Sequence, residues 1–347
     1  MEDTRRLAEI IAEHGGLIQT GPFGSQLHQS DYTEDGVPVV MPKDIRDGKI
    51  DETTVAKISE QKASELSRHV LPHGSIVFPR RGEIGKCAFV NGRQVGFLCG
   101  TGCIKIEIPK KIIDPKFFYY FLGLRKVVVW LEQNALGTTM LNLNTKIIGN
   151  IQFPAISIEK QKFIANILSA YDDLIENNRR RIHLLEQAAR LLFREWFVHL
   201  KFPGHETVRV RDGVPEGWER STVYEMADIL SGGTPKTKEP GNWDGEIPFF
   251  TPKDFSDFPY VFSTEKTLTD SGLKSCNSKL YPKDTVFITA RGTVGKVNLA
   301  QVPMAMNQSC YALIAKPPIN QHYLYFALIT PCVRVVVTAT GDLIIAG

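Results

Sequence analysis

Leu71-Pro72-His73-Gly74-Ser75-Ile76-Val77-Phe78-Pro79-Arg80-Arg81-Gly82-Glu83-Ile84-Gly85-Lys86 is answered 210 residues later by Tyr281-Pro282-Lys283-Asp284-Thr285-Val286-Phe287-Ile288-Thr289-Ala290-Arg291-Gly292-Thr293-Val294-Gly295-Lys296. Upstream, at the same offset, Val37-Pro38-Val39-Val40-Met41-Pro42-Lys43-Asp44-Ile45 faces Ile247-Pro248-Phe249-Phe250-Thr251-Pro252-Lys253-Asp254-Phe255. Two blocks in one register are hard to obtain by chance, so the chain is read as two copies of one domain. Fainter echoes follow with small drifts: Cys103 with Cys310, Phe117 to Leu122 with Tyr323 to Leu328, and Ala135-Leu136-Gly137 with Ala339-Thr340-Gly341. Within each copy, short apolar runs bounded by Gly, Pro and Asn read as strands, Ser75 to Pro79 and Thr285 to Thr289 among them, with one helical stretch near the end. The fold class is mixed α/β (α+β), with two β-rich cores. Each Arg-Gly-x-x-Gly-Lys joins two strands, and Gly82, Gly85, Gly292 and Gly295 permit a tight turn at positive φ.

Between the copies, 155–202 contains neither Gly nor Pro and is framed by Pro154 and Pro203-Gly204. That predicts a helix, with Ser157 as N-cap and Glu159 at the positive end of the dipole. Ile164, Ile167, Tyr171, Leu174, Ile182, Leu185, Ala188, Leu192 and Trp196 recur at three- and four-residue steps, interrupted by Asn178. This is a heptad-like seam. Roughly 40 helical residues make a rod of ~60 Å, whose apolar seam calls for a second helix. The domains expected are therefore 1–154, a spacer helix over 155–202, and 203–347.

The 347 residues agree with two domains, and 43% apolar and 23% charged residues describe a folded protein. Met1-Glu2-Asp3-Thr4-Arg5-Arg6 does not open a signal peptide, and no apolar run approaches the ~20 residues of a membrane span. A soluble, cytoplasmic protein is expected. Cys87, Cys99, Cys103, Cys276, Cys310 and Cys332 lack paired C-x-x-C spacing and read as reduced thiols without a metal. The eight histidines form no triad or ligand pattern. A net charge of +3 permits a nucleic-acid partner without arguing for one.

Two enzyme classes fail on residues. An adenine-modifying enzyme would need an Asn-Pro-Pro-Tyr or Asp-Pro-Pro-Tyr motif, whereas Pro317-Pro318 lies between Lys316 and Ile319. A phosphate loop needs four residues between its glycines and Ser or Thr after the Lys; here there are two, followed by Cys87 or Val297. Two diverged domains on a spacer suit the reading of two half-sites along DNA. The candidate phosphate or base contacts are Lys43, Arg80, Arg81, Lys86, Lys253, Arg291 and Lys296. Each competes with a structural or solvated reading, as does Arg179-Arg180-Arg181 on the spacer. The alternative from another class is a two-domain protein scaffold that binds no specific DNA.

The order domain, spacer helix, domain resembles the specificity subunit of type I restriction-modification systems. Thr20-Gly21-Pro22-Phe23-Gly24-Ser25 with Pro38 to Ile45, both Arg-Gly-x-x-Gly-Lys turns, and Ala135-Leu136-Gly137-Thr138 followed by Ile151-Gln152-Phe153-Pro154 carry the resemblance. So do Glu159-Lys160-Gln161-Lys162-Phe163-Ile164-Ala165, Leu174-Ile175-Glu176-Asn177-Asn178 and Val214-Pro215-Glu216-Gly217-Trp218-Glu219. The resemblance covers essentially the whole chain. It implies a non-catalytic subunit with two target-recognition domains, binding a bipartite duplex site. It also implies docking to two methyltransferase subunits and, in the full complex, to restriction subunits. S-adenosylmethionine, ATP and Mg would serve those partners, so the chain itself is expected to use no cofactor. The family's second spacer helix, expected to lie antiparallel to 158–199, is absent from a chain ending at Gly347. Two expectations stand: the sequence is cut short there, or another copy of the chain or the methyltransferase fills the seam.

Overall fold

The computed structural model describes residues 4–82, 84–137, 142–292 and 294–330, and beyond them the backbone of 334–337 and 343–346. Cys332, Thr138 and the Ala339-Thr340-Gly341 echo lie outside the described residues. The chain divides into two compact units, Met1–Arg180 and Arg181–Gly347.

In the first unit the quoted repeat supplies Ile76–Pro79, an inner strand of a four-stranded antiparallel sheet ordered Leu17–Thr20, Cys103–Glu107, Ile76–Pro79, Ala88–Phe89. Period-two alternation sends Ile76 and Phe78, with Ile104 and Ile106 of the paired strand, to one face. There they meet Phe117, Phe118, Phe121 and Leu122 of the helix Pro115–Leu122. Val77 and Cys103 point the other way, toward Val40 and Cys99. Those two residues belong to a second, smaller sheet, in which Val39–Val40 runs parallel to Leu98–Cys99. Both faces of Ile76–Pro79 are thus covered, which is why its run is apolar throughout rather than alternating.

The second unit repeats this plan. Its sheet is ordered Ala227–Ser231, Cys310–Ala315, Val286–Thr289, Val297–Ala300, Tyr260–Val261. Val286 and Ile288 pack on Leu324, Tyr325 and Leu328 of the helix Gln321–Ile329, while Phe287 faces Phe250, Met306 and Cys310. The smaller sheet again holds a parallel pair, Phe249–Phe250 beside Ala305–Met306. Small hydrogen bonds repeat as well: Ser75 Oγ donates to the Pro72 carbonyl at 2.8 Å, and Thr285 Oγ1 to that of Pro282 at 2.7 Å. Beyond Gln321–Ile329, Arg334–Val337 pairs antiparallel with Leu343–Ala346.

Ile158–Phe193 is one α-helix of 36 residues, continued by a π-helical turn over Arg194–Val198. It starts where the Ser157 carbonyl accepts from Gln161 N at 3.0 Å, and it ends before Leu200, which sits at φ 58°. In the first unit its opening turns are docked: Ala165 is buried, Ile164 packs beside it, and the buried Gln161 amide makes three bonds. Gln161 Oε1 accepts from Asp114 N at 2.9 Å, and Nε2 donates to the Ile112 and Ile156 carbonyls at 3.0 and 2.8 Å. In the second unit Phe193 is buried, its ring centroid 5.4 Å from Tyr323 and 6.0 Å from Phe326. Every residue from 170 to 185 is exposed. Of the expected seam, Ile164 and Trp196 are half-buried, whereas Ile167, Tyr171, Leu174, Ile182, Leu185 and Leu192 lie open, from 37% at Ile182 to 67% at Leu185. Among the described residues no helix is long and apolar enough to cross a membrane.

Candidate nucleic-acid interface

Pro-Lys-Asp is the same device in both units. Asp44, fully buried, accepts from Met41 N through Oδ2 at 2.9 Å and from Thr54 Oγ1 through Oδ1 at 3.0 Å. Asp254 accepts from Thr251 N and Oγ1 at 2.8 and 2.7 Å, and from Glu265 N at 2.7 Å. The aspartate therefore closes the turn that Pro42 or Pro252 shapes, and it ties that turn to the following segment. Lys43 and Lys253 are left exposed at the apex.

The Arg-Gly-x-x-Gly-Lys segments are turns between paired strands. Gly82, Gly85, Gly292 and Gly295 have φ of 91°, 88°, 79° and 82°, the left-handed backbone the spacing requires. In the second unit Gly295 N donates to the Thr289 carbonyl at 2.8 Å, and Thr289 N to that of Lys296 at 2.9 Å. In the first, Arg81 bridges to Asn142, whose backbone pairs with Leu136.

Each unit has a pocket where its Pro-Lys-Asp turn meets its Arg-Gly-x-x-Gly-Lys turn. The first, of about 530 Å³, is lined by Pro42, Lys43, Ile45, Arg46, Asp47, Pro79, Arg81 and Lys86. The second, of about 510 Å³, includes Lys253, Lys266, Arg291, Trp243 and Gln308 in its walls. Of the predicted contacts, Lys43, Arg81 and Lys86 come together, as do Lys253 and Arg291. Arg80 does not join the first group: it is half-buried, and its enclosed Nε–H has no hydrogen-bond partner among the described residues. Lys296 stands outside the second, its Nζ 5.1 Å from the centre of the Phe255 ring. Sequence reasoning missed Arg46, Lys266, Trp243 and Gln308. Arg46 Nε donates to the Lys43 carbonyl at 3.1 Å and Nη1 lies 3.4 Å from Asp51; Lys266 Nζ lies 5.4 Å from the centre of the Trp243 ring. Arg46, Lys266 and Gln308 have no like residue at the matching place in the other copy, so self-similarity could not mark them; Trp243 answers Tyr32, each pairing with the residue, Leu268 or Ile58, that also pairs with the start of the following Pro-Lys-Asp strand, Ile247 or Val37.

Burial pushes the Cys87, Cys99 and Cys310 thiols up to about 12, so they stay protonated. Among the described residues no group of His, Cys, Asp and Glu could hold a metal ion. Two clusters of exposed cations beside shallow pockets can bind anions and polar edges.

Comparison with known proteins gives this arrangement its family. The type I restriction modification DNA specificity domain family matches 19–187 and 215–337, one stretch in each copy. The chain is 24% identical over 336 residues to the type I restriction enzyme MjaIX specificity subunit of Methanocaldococcus jannaschii, covering 94% of this chain and 75% of that one. It is 20% identical over 327 residues to the HindI specificity subunit of Haemophilus influenzae, covering 76% and 71%. The crystal structure of the type I restriction-modification S subunit from M. genitalium superposes with a TM-score of 0.56 at 16% identity, covering 94% of this chain and 76% of that one. With a doubled domain, a spacer helix and family matches in both copies, the chain belongs to the DNA specificity subunits of type I restriction-modification systems, which are themselves non-catalytic.

Proposed function

We propose that each unit reads one half of a bipartite duplex DNA target from the mouth of its pocket. The observation that carries this is the placement of cations at the same point of a repeated fold: Lys43, Arg81 and Lys86 in one copy, Lys253 and Arg291 in the other. Lys and Arg beside phosphates hold a domain in register, and side chains between them reach base edges in the major groove. The functional division is 1–154, 155–202 and 203–347, with the exposed stretch of helix available to the modification and restriction subunits. S-adenosylmethionine, ATP and Mg belong to those subunits. Arg80 and Lys296 act from the pocket rims or through the turn that each occupies.

Binding to a duplex carrying the target, titrated against salt, tests the reading. Each phosphate contact removed lowers the slope of log K on log salt by about 0.9. Lys43→Ala with Arg81→Ala, and separately Lys253→Ala with Arg291→Ala, are expected to flatten it. A two-domain protein scaffold gives a shallow slope that neither pair alters.

A further inference from the structure

One turn recurs in both units at the edge of the pockets, and it differs between them. In the first unit Gly100 N donates to the Val40 carbonyl at 2.9 Å, Arg80 N to Gly102 at 2.6 Å, and Cys103 N to Gly100 at 3.1 Å. In the second, Asn307 N donates to Phe250 at 3.0 Å, Ala290 N to Ser309 at 2.8 Å, and Cys310 N to Asn307 at 3.3 Å. Gly21 passes beneath the first turn and Gly232 beneath the second, so close that a Cβ would lie 1.9 Å from the Gly100 oxygen or 2.2 Å from that of Asn307. The scaffold is therefore held constant. Its bonds reach the strand end before Pro-Lys-Asp on one side and the start of the Arg-Gly turn on the other. What varies is the tip: Gly100-Thr101-Gly102 against Asn307-Gln308-Ser309.

Gln308 is exposed and lines the second pocket with Lys253 and Arg291. An exposed glutamine ordinarily samples many rotamers. This one is braced: Thr234 Oγ1 donates to Gln308 Oε1, and Ser309 N donates to Asn307 Oδ1 at 3.0 Å, stiffening the turn. The brace engages the amide carbonyl, and among the described residues Nε2–H has no hydrogen-bond partner, so it is available to donate to a ligand at the pocket. We propose that Gln308 is a base-reading residue of the second unit, donating from Nε2 to an acceptor on a base edge, N7 of a purine, O6 of guanine or O4 of thymine. Thr234 is its positioning residue. The proposal rests on the DNA-recognition reading above and adds the residue and the hydrogen-bonding character of the base it selects.

The full chain, co-expressed with its methyltransferase subunits, yields a methylated motif by mapping N6-methyladenine on host DNA. Gln308→Ala is expected to make one position degenerate in one half of the motif, with discrimination there falling about 10-fold or more, while the other half stays intact. Thr234→Val should weaken the same position to a lesser degree. Because Gln308 is exposed, the melting temperature should not move, which separates reading from a structural role. A wild-type split motif retained unchanged by Gln308→Ala overturns the assignment of Gln308 and leaves the recognition reading standing. Equal weakening of both halves makes Gln308 a non-specific contact and also overturns it. No split motif with the wild-type chain overturns the recognition reading and this proposal together.

Discussion

At the scale of single residues, the turn glycines separate two causes of strain. Gly82 and Gly85 have nearly the same positive φ, but a Cβ on Gly82 would meet open space and one on Gly85 would lie 2.5 Å from Val128 Cγ1. Gly82→Ala should cost about 1 kcal/mol for the left-handed backbone alone. Gly85→Ala should cost about 2–3 kcal/mol, since Val128 must also give way. Urea denaturation of the two variants measures the difference. His69 tests burial in another way. Its imidazole is 1% exposed, and Arg68 Nε donates to its Nε2 at 3.0 Å. Burial first, then the Arg68 and Lys105 charges, holds its pKa at about 4 against an ordinary 6.5. Above pH 6.5 both folded and unfolded chains carry a neutral ring, and nothing is lost. Between pH 6.5 and 4 the unfolded chain takes up a proton that the native state refuses. Stability therefore falls as pH falls through that window, by at most about 3 kcal/mol. His69→Gln is expected to lower stability at pH 8 and to remove most of this slope.

At the scale of elements, the spacer helix was the most legible feature, because a long stretch without Gly or Pro leaves few alternatives. Its start and stop fall within a few residues of the expected limits. What the heptad pattern did not reveal is Gln161, a polar residue that looks solvated on a helical wheel and is buried. Gln161→Leu removes three hydrogen bonds and leaves an amide and two carbonyls unpaired where the helix docks. A loss of about 2–4 kcal/mol in urea denaturation is expected. In contrast, Leu185→Gln on the open seam should stay within about 0.5 kcal/mol of the parent by the same assay. The strands around the two repeats were also legible, since Ile76–Pro79 is apolar throughout and Val286–Thr289 begins with three apolar residues, and the two recur in one register. The parallel pairs of the smaller sheets were not, because strands of two residues such as Leu98–Cys99 carry no periodicity to read.

At the scale of the whole molecule, internal repetition located the proposed sites better than any single motif. Matching blocks marked Lys43, Arg81, Lys253 and Arg291, and each pair now lines one pocket. The same method was blind to Gln308, Lys266 and Arg46, because a residue that distinguishes the copies is by construction one that the repeat does not show. Constant scaffold and variable tip are what two different half-sites require of two related domains. The central claim is that each unit reads its own half. It is tested most directly by exchanging residues 1–154 for those of a homologous specificity subunit, co-expressing the chimera with the methyltransferase, and mapping N6-methyladenine. The account predicts a split motif in which only one half changes while the other half is kept. A motif that changes in both halves, or in neither, would contradict it.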